Sequence, residues 1–226
     1  FSLSTSVPNG IETASASTAS RTVCNAAGLC ATAGPIGGIQ VDRAAPRIAI
    51  GSPAATTYTL NQRVFAAYSC ADAGSGLASC AGSVANGLPI DTTSIGTKSF
   101  AVHAADATGN GADLSVAYSV GYRICSLFQP ITIPFLHRTF FALQICDAAG
   151  ANLSLPAITV RVTGVRSSQG PIAAGGTFTL ISPPAQPKLT FYALGLNTAG
   201  YLPGMYTLDF AAGTAGGSYS IPFVIR

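Results

Sequence analysis

The side chains that could do chemistry are few and widely spaced along this chain. There are two histidines, His103 and His137, and neither lies near a Gly-x-Ser-x-Gly turn or another recognisable catalytic frame. Nucleophilic catalysis needs a nucleophile, a base and an orienting acid within hydrogen-bonding distance. His103 lies among alternating small residues and His137 follows two apolar residues, so both are interpreted as surface or packing side chains. The sequence therefore predicts no catalytic residue and a protein that is not an enzyme.

Three of the acidic residues have a topological reason to converge. Asp42 precedes the first strand of a predicted β-sandwich, Asp72 follows its second strand and Asp106 precedes its last strand, and these three places share one pole of an immunoglobulin-type sandwich. Together with Asn110, backbone carbonyls and water, they supply enough oxygen atoms for Ca²⁺, which takes six to eight. The hypothesis is a calcium site. The alternative is that each aspartate caps its own turn and otherwise meets solvent.

The six cysteines point to an oxidising environment. They form three pairs that are close in sequence: Cys24 with Cys30, Cys70 with Cys80, and Cys125 with Cys146. No pair has Cys-x-x-Cys spacing, and two histidines do not complete a four-ligand zinc site. We therefore expect three disulfides and an extracellular or cell-surface location, with reduced core thiols as the alternative.

Composition restricts the classes of partner. Charged residues make up 8% of the 226 residues and the net charge is +3, without a Lys/Arg cluster suited to nucleic acid or to a membrane surface. No apolar run of about 20 residues predicts a membrane span. The chain begins with Phe1 and lacks the start of a signal peptide, so it is interpreted as a mature or trimmed chain.

Strand-like patterns dominate the chain. Short alternating or apolar segments occur about every 8 to 12 residues, separated by Gly, Pro, Asn and Ser, as in residues 63–70, 98–104, 157–162, 206–210 and 221–225. A short phrase in which an Asp or Asn is followed two or three residues later by Gly also returns four times, at residues 24–28, 70–74, 105–109 and 146–150. In such a turn the Asp or Asn accepts bonds from following amides and the glycine takes a positive φ. These patterns predict an all-β fold of tandem sandwich units.

Linkers divide the chain into three predicted units: 1–43, 44–122 and 123–226. Residues 41–46 form a polar connector that ends in proline, and residues 128–134 resemble a proline-punctuated edge strand. Unit 1–43 is too short to close a sandwich, because an isolated hairpin is marginal in water. It is either a truncated domain, or it pairs with the second unit, or another chain completes it by strand addition.

Residues 40–120 resemble the Ig-like repeats of bacterial secreted and surface proteins. The resemblance rests on the linker 41–46, on residues 68–76 closing at Cys80, and on residues 105–110. Residues 1–43 look like the closing half of a similar repeat. Residues 125–226 resemble the PxKF-type domain that often follows such repeats, through residues 141–153, 196–200, 203–208 and 223–226, although residues 137–143 match the namesake motif only approximately. The resemblance implies tandem Ig-like β-sandwich domains, the first one incomplete.

The expected function is structural: a rigid stalk, spacer, or fibre or sheath subunit of a secreted or cell-surface bacterial protein. A charge-poor surface favours packing against copies of itself, because few ionic groups must be desolvated. The alternative is an adhesive or carbohydrate- or protein-binding module of a larger secreted protein or hydrolase. A concave polar pocket or an exposed aromatic row would favour that alternative.

Overall fold

Strands form almost all the regular structure of this chain. The computed structural model describes residues 2–126, 131–133, 138–213 and 217–226, with side chains for all but 126, 131–133, 138 and 187. Among them are nineteen strands, one short 3-10 turn and no α-helix. The predicted all-β fold is confirmed, and its strands form several sheets. No helix within these ranges has the length and apolar character needed to cross a membrane.

Ten strands lie in the first 122 residues. They are β1 (Glu12–Ala16), β2 (Arg21–Cys24), β3 (Cys30–Ala33), β4 (Ile39–Asp42), β5 (Arg47–Ser52), β6 (Thr57–Thr59), β7 (Ala67–Ala71), β8 (Leu77–Gly82), β9 (Gly96–Asp106) and β10 (Gly111–Gly121).

Nine more strands follow. They are β11 (Arg123–Ser126), β12 (Ile131–Ile133), β13 (Arg138–Cys146), β14 (Val160–Ser167), β15 (Gly170–Ile172), β16 (Thr179–Ile181), β17 (Phe191–Asn197), β18 (Gly204–Ala212) and β19 (Gly217–Ile225), with the 3-10 turn Pro187–Leu189 before β17.

The described residues 2–43 form two two-stranded sheets. Strand β1 pairs antiparallel with β4, and β2 pairs antiparallel with β3 as a hairpin that the Cys24–Cys30 disulfide closes. Almost every side chain of β2 and β3 is exposed, and Ala16 is the one buried hydrophobic residue among the described residues before 44. This part therefore has no core of its own.

Residues 44–122 form two sheets, β5–β7 and β6–β10–β9–β8. The Cys70–Cys80 disulfide joins β7 to β8, one strand of each sheet. The Tyr68 and Phe100 rings meet with centroids 5.9 Å apart, and Phe100 is 1% exposed. Alternation along β9 thus turns one face inward, as expected for a half-buried strand. Phe65 belongs to the segment 63–70 whose alternation predicts a strand, yet it is half exposed, since it precedes β7 and lies opposite Pro89 in an isolated bridge.

The C-terminal part has the larger core. Its sheets are β11–β13–β17–β16 and β12–β19–β18–β14–β15. Phe141 from β13 and Phe223 from β19 meet edge to face at 5.3 Å, so the inner faces of the two sheets pack together. The Cys125–Cys146 disulfide links the neighbouring strands β11 and β13. The predicted edge strand at 128–134 lies partly outside the described residues; within it β12 runs parallel to β19.

Backbone packing separates two compact units. The first comprises Phe1–Ala54, Phe65–Ile90 and Ser99–Val116, and the second comprises Ala55–Val64, Asp91–Lys98 and Ala117–Arg226. The three-unit division at 43 and 122 remains a prediction. Strand β4 ends at Asp42 and β10 ends at Gly121, each close to one of those boundaries.

Candidate functional site

The repeated turn phrase places the acidic side chains by local hydrogen bonding. Asp106 Oδ1 accepts bonds from the amides of Thr108 (2.9 Å) and Asn110 (2.8 Å), and Asn25 and Asp147 accept equivalent pairs of amide bonds. The following glycines take a positive φ, as at Gly109 (92°). The predicted turn chemistry is confirmed in these three copies. In the Asp72 copy the accepted amide is that of Gly76, 2.8 Å away.

Asp42, Asp72 and Asp106 converge. One carboxylate oxygen from each lies within 4.8 Å of the other two. Asp42 ends β4, Asp72 follows β7 and Asp106 ends β9, so three separate elements each contribute one ligand oxygen. Asp106 is only 3% exposed. The arrangement brings together the aspartates of the predicted calcium site, whose occupancy by calcium remains a prediction.

A fourth carboxylate, that of Glu12, lies beside Asp42, although it is not one of the three whose oxygens lie within 4.8 Å of one another. Glu12 is the residue directly opposite Asp42 in the β1–β4 ladder. Both carboxylates reach over Gly74, where Glu12 Oε2 and Asp42 Oδ2 occupy the space that a Cβ would fill. Like charges directly opposite on paired strands are destabilising without a counter-charge. Sequence reasoning missed Glu12, because its position depends on the register of β1 on β4, which no local pattern reports.

Asp42 is held firmly in the ionised form. Its Oδ2 accepts the Ser75 amide at 2.6 Å and its Oδ1 accepts the Ala44 amide at 3.0 Å. The Ser75 side chain and then the Ala44 amide lower the Asp42 pKa, against opposing effects of burial and of the Asp106 charge. Ser75 Oγ is buried, and its geometry is not that of a formed hydrogen bond.

Asp106 is ionised for a different reason. Burial raises the pKa of this carboxyl, but hydrogen bonds from Asn110 and Thr108 outweigh burial and leave the pKa below its ordinary value. Asn110 Nδ2 donates to Asp106 Oδ2 at 2.6 Å and approaches the Asp42 carbonyl oxygen at 3.4 Å. In this arrangement Asn110 reaches the site but orients Asp106 instead of presenting its own oxygen.

Within the described ranges no ion pair joins a basic side chain to the cluster, and Arg47 lines a neighbouring cleft together with Glu12 and Asp72. Ion pairs in these ranges join Lys98 to Asp91 and Arg166 to Asp209, and His103 contacts Asp113. The neighbouring Arg43 points its guanidinium at the Val7 carbonyl, 2.6 Å away.

The donor set is the kind that Ca²⁺ prefers. Glu12 and the three aspartates supply carboxylate oxygens, the Asp42 carbonyl and Ser75 Oγ lie beside them, and an open cleft of about 470 Å³ next to Asp42 leaves room for water. Ca²⁺ accepts six to eight such ligands in flexible geometry, whereas Mg²⁺ demands a near-ideal octahedron. The orphaned serine oxygen and the cradle over Gly74 thus fit a calcium ion.

The histidines do not assemble a reactive centre in the part of the chain that the structure describes. His103 Nδ1 pairs with Asp113 Oδ1, a pairing that the sequence analysis did not anticipate. Both side chains are more than half exposed, and no described serine, threonine or cysteine hydrogen-bonds to His103. His137 lies outside the described residues.

No protein-family model matches the sequence, and no curated protein matches it either. Similar solved structures include an I-band fragment of titin (14% identity, 80% of this chain and 65% of that chain, TM-score 0.28). Others are latent PorU from Porphyromonas gingivalis (9%, 80% and 20%, 0.31) and domains 4–9 of the surface layer protein SbsC (14%, 94% and 35%, 0.26). This chain spans less than two thirds of each of these structures. TM-scores this low assign no function.

Proposed function

We propose that this chain is a non-enzymatic structural module of a secreted or cell-surface bacterial protein, in which calcium ties the short N-terminal strands to the Ig-like unit that follows. The observation that carries the proposal is the convergence of Asp42, Asp72 and Asp106, with Glu12 beside Asp42 and no ion pair to a basic side chain in the described residues. The role is that of a stalk, spacer or fibre subunit.

The position of the acidic cluster explains why calcium would matter. Strands β1 and β4 have almost no core of their own, so little apolar burial holds them in place. Four carboxylates from β1, β4, the loop after β7 and the end of β9 repel one another when no cation is bound. A bound divalent ion converts that repulsion into attraction and fixes the four segments together.

The disulfides and the sparse charge support an exposed structural role. Each of the three cysteine pairs is bonded, which suits an oxidising, extracellular location. A chain with 8% charged residues can pack against neighbouring copies with few ions to desolvate. We therefore also propose self-assembly or packing against further domains of the same protein. From the sequence resemblance of residues 125–226 we propose, in addition, a PxKF-like C-terminal domain.

Calorimetric titration with calcium chloride tests the proposal. Wild-type protein is expected to bind calcium with measurable heat and a higher melting temperature, and Asp72→Asn to weaken binding at least about tenfold, because calcium affinity follows the number of charged ligands. Asp113→Asn is the matched control, since Asp113 is an exposed aspartate paired with His103. No heat with wild type, or equal effects of the two variants, would contradict the proposal.

Gly74→Ala gives a second test that removes no ligand. Its new methyl group would enter the space that Glu12 Oε2 and Asp42 Oδ2 occupy, so those carboxylates must move and calcium affinity is expected to fall. Gly74 has no positive φ, so alanine does not strain the backbone. Gly37→Ala, whose Cβ meets nothing within 4 Å, is the control expected to bind as wild type does.

A further inference from the structure

A cleft of about 520 Å³ opens between two loops of the C-terminal part, within the size range of small-molecule sites, roughly 300–1,000 Å³. One wall is the β14–β15 hairpin, residues 167–172, and the other is the β17–β18 loop, residues 199–206. None of these fourteen residues is charged. The cleft is separate from the acidic cluster, and neither the predicted turns nor the proposed structural role accounts for it.

An aromatic stack forms one side of the cleft. Tyr201 stacks on Tyr206 with ring centroids 5.1 Å apart and an interplanar angle of 26°, and Tyr206 stacks on Phe223 at 5.4 Å and 20°. Phe223 and Tyr206 are buried, at 2% and 7% exposed, whereas Tyr201 is partly exposed. The core therefore fixes the outermost ring in place, so a ligand that stacks on Tyr201 need not order it first.

The loops around this ring are also held by hydrogen bonds. Tyr206 Oη donates to the Leu202 carbonyl at 2.7 Å, and the Tyr201 amide donates to the Thr198 carbonyl at 3.0 Å. In the opposite wall, Ser167 Oγ donates to the Gly170 carbonyl at 3.1 Å. The cleft is thus shaped before any ligand binds.

The polar groups at the rim are neutral. Ser168 and Gln169 are exposed at the tip of the β14–β15 hairpin, where a hydroxyl and a carboxamide together offer both donors and acceptors. An ionic ligand would lose its hydration here without gaining a counter-charge. A ligand with an apolar face for an aromatic ring and hydroxyl groups around its edge matches both features of the site.

We infer that this cleft binds a neutral carbohydrate, with one pyranose ring stacked on Tyr201 and its hydroxyls hydrogen-bonded to the β14–β15 hairpin. The site goes beyond the structural role and would give the module a second function, attachment to neutral glycans. It does not involve the acidic cluster, so it is independent of calcium.

Titration of ¹⁵N-labelled protein with cellotriose, maltotriose and N-acetylchitotriose in the presence of EGTA tests the inference. At least one sugar is expected to shift amide signals of residues 167–172 and 199–206, with a dissociation constant of about 1 mM or below. Tyr201→Ala is expected to weaken binding about tenfold or more, and Tyr201→Phe to retain it, because the ring face supplies the stacking contact. Phe140→Ala is the matched control, since Phe140 is 72% exposed outside the cleft.

The inference is overturned if none of the three sugars shifts these signals, if the shifts lie elsewhere, or if Tyr201→Ala binds as well as wild type. Equal losses in Tyr201→Ala and Phe140→Ala would overturn it as well. Because the titration contains no calcium, its failure leaves the calcium proposal standing, and failure of the calcium titration leaves this inference standing.

Discussion

At the scale of single residues, hydrogen bonds from neighbouring side chains and amides lower the pKa of Asp91. Its Oδ2 accepts a hydrogen bond from Lys98 Nζ at 2.6 Å, and its Oδ1 accepts bonds from the Thr93 amide at 2.9 Å and the Thr93 hydroxyl at 2.7 Å. The Lys98 bond first, and then those from Thr93, lower the Asp91 pKa to about 2. The Asp91 side chain is half exposed, so solvent screens the pair.

A pH titration checks this assignment. The pKa of folded Asp91 is depressed, so the pair stabilises the fold above the ordinary carboxyl range near pH 4, and that stabilisation is lost as the pH falls towards 2. Carboxyl-carbon NMR is expected to give an Asp91 midpoint near 2 in wild type and a clearly higher one in Lys98→Met. Lys188→Met is the control that should leave the midpoint in place. An unchanged Asp91 midpoint in Lys98→Met would show that Lys98 is not the cause.

The pKa values of two aspartates in the acidic cluster are lowered in the same direction as that of Asp91. Hydrogen bonds hold the pKa values of Asp42 and Asp106 below the ordinary value, so both remain charged at neutral pH. Protonation on acidification removes ligands that a calcium ion needs, and the calcium affinity should therefore fall together with the charge of these groups.

At the scale of elements, the three disulfides are not equivalent. The Cys70–Cys80 bond joins strands of two different sheets, whereas the Cys24–Cys30 bond closes a hairpin whose side chains are almost all exposed. A disulfide changes the free energy of global unfolding only where the residues that it links belong to the cooperative core.

Paired alanine substitutions separate these cases. Removal of Cys70 and Cys80 is expected to lower the free energy of unfolding by about 2–3 kcal/mol, the entropy of closing a short loop. Removal of Cys24 and Cys30 is expected to loosen the hairpin without moving the main denaturation midpoint. Urea denaturation followed by far-UV circular dichroism measures both. Equal shifts for the two variants would mean that the hairpin belongs to the core.

The elements also show what the sequence could predict. Alternation identified β9, β18 and β19 because half-buried strands have a period of two, and the Asp-Ala-x-Gly phrase identified turns because its hydrogen bonds are local. The convergence of Asp42, Asp72 and Asp106 followed from topology. Glu12 was not predictable, since it depends on a ladder register between segments about 30 residues apart.

The cleft between residues 167–172 and 199–206 could not be predicted from the sequence either. Tyr201 and the β14–β15 hairpin come from loops far apart in the chain, and nothing in either loop marks it as a partner of the other. The alternating segment 63–70 was misleading at Phe65, because the alternation begins before β7, which starts at Ala67. Alternation in the sequence predicts that a strand is present, whereas the burial of each side chain depends on the residue at which strand pairing begins.

At the scale of the whole molecule, the described parts differ in what holds them together. The C-terminal sandwich has an extensive buried core, whereas residues 2–43 depend on two short ladders, one disulfide and the acidic cluster. Calcium is therefore expected to act unevenly along the chain. A segment without a core gains most from an ion that fixes its ends.

Hydrogen–deuterium exchange with calcium or with EGTA tests this account most directly. Calcium is expected to slow exchange in β1, in β4 and at residues 72–76, while β13 and β17 exchange equally in both conditions, because only the former segments contribute to the acidic cluster. Exchange that is unchanged by calcium throughout the chain, or slowed equally in all segments, would contradict the account.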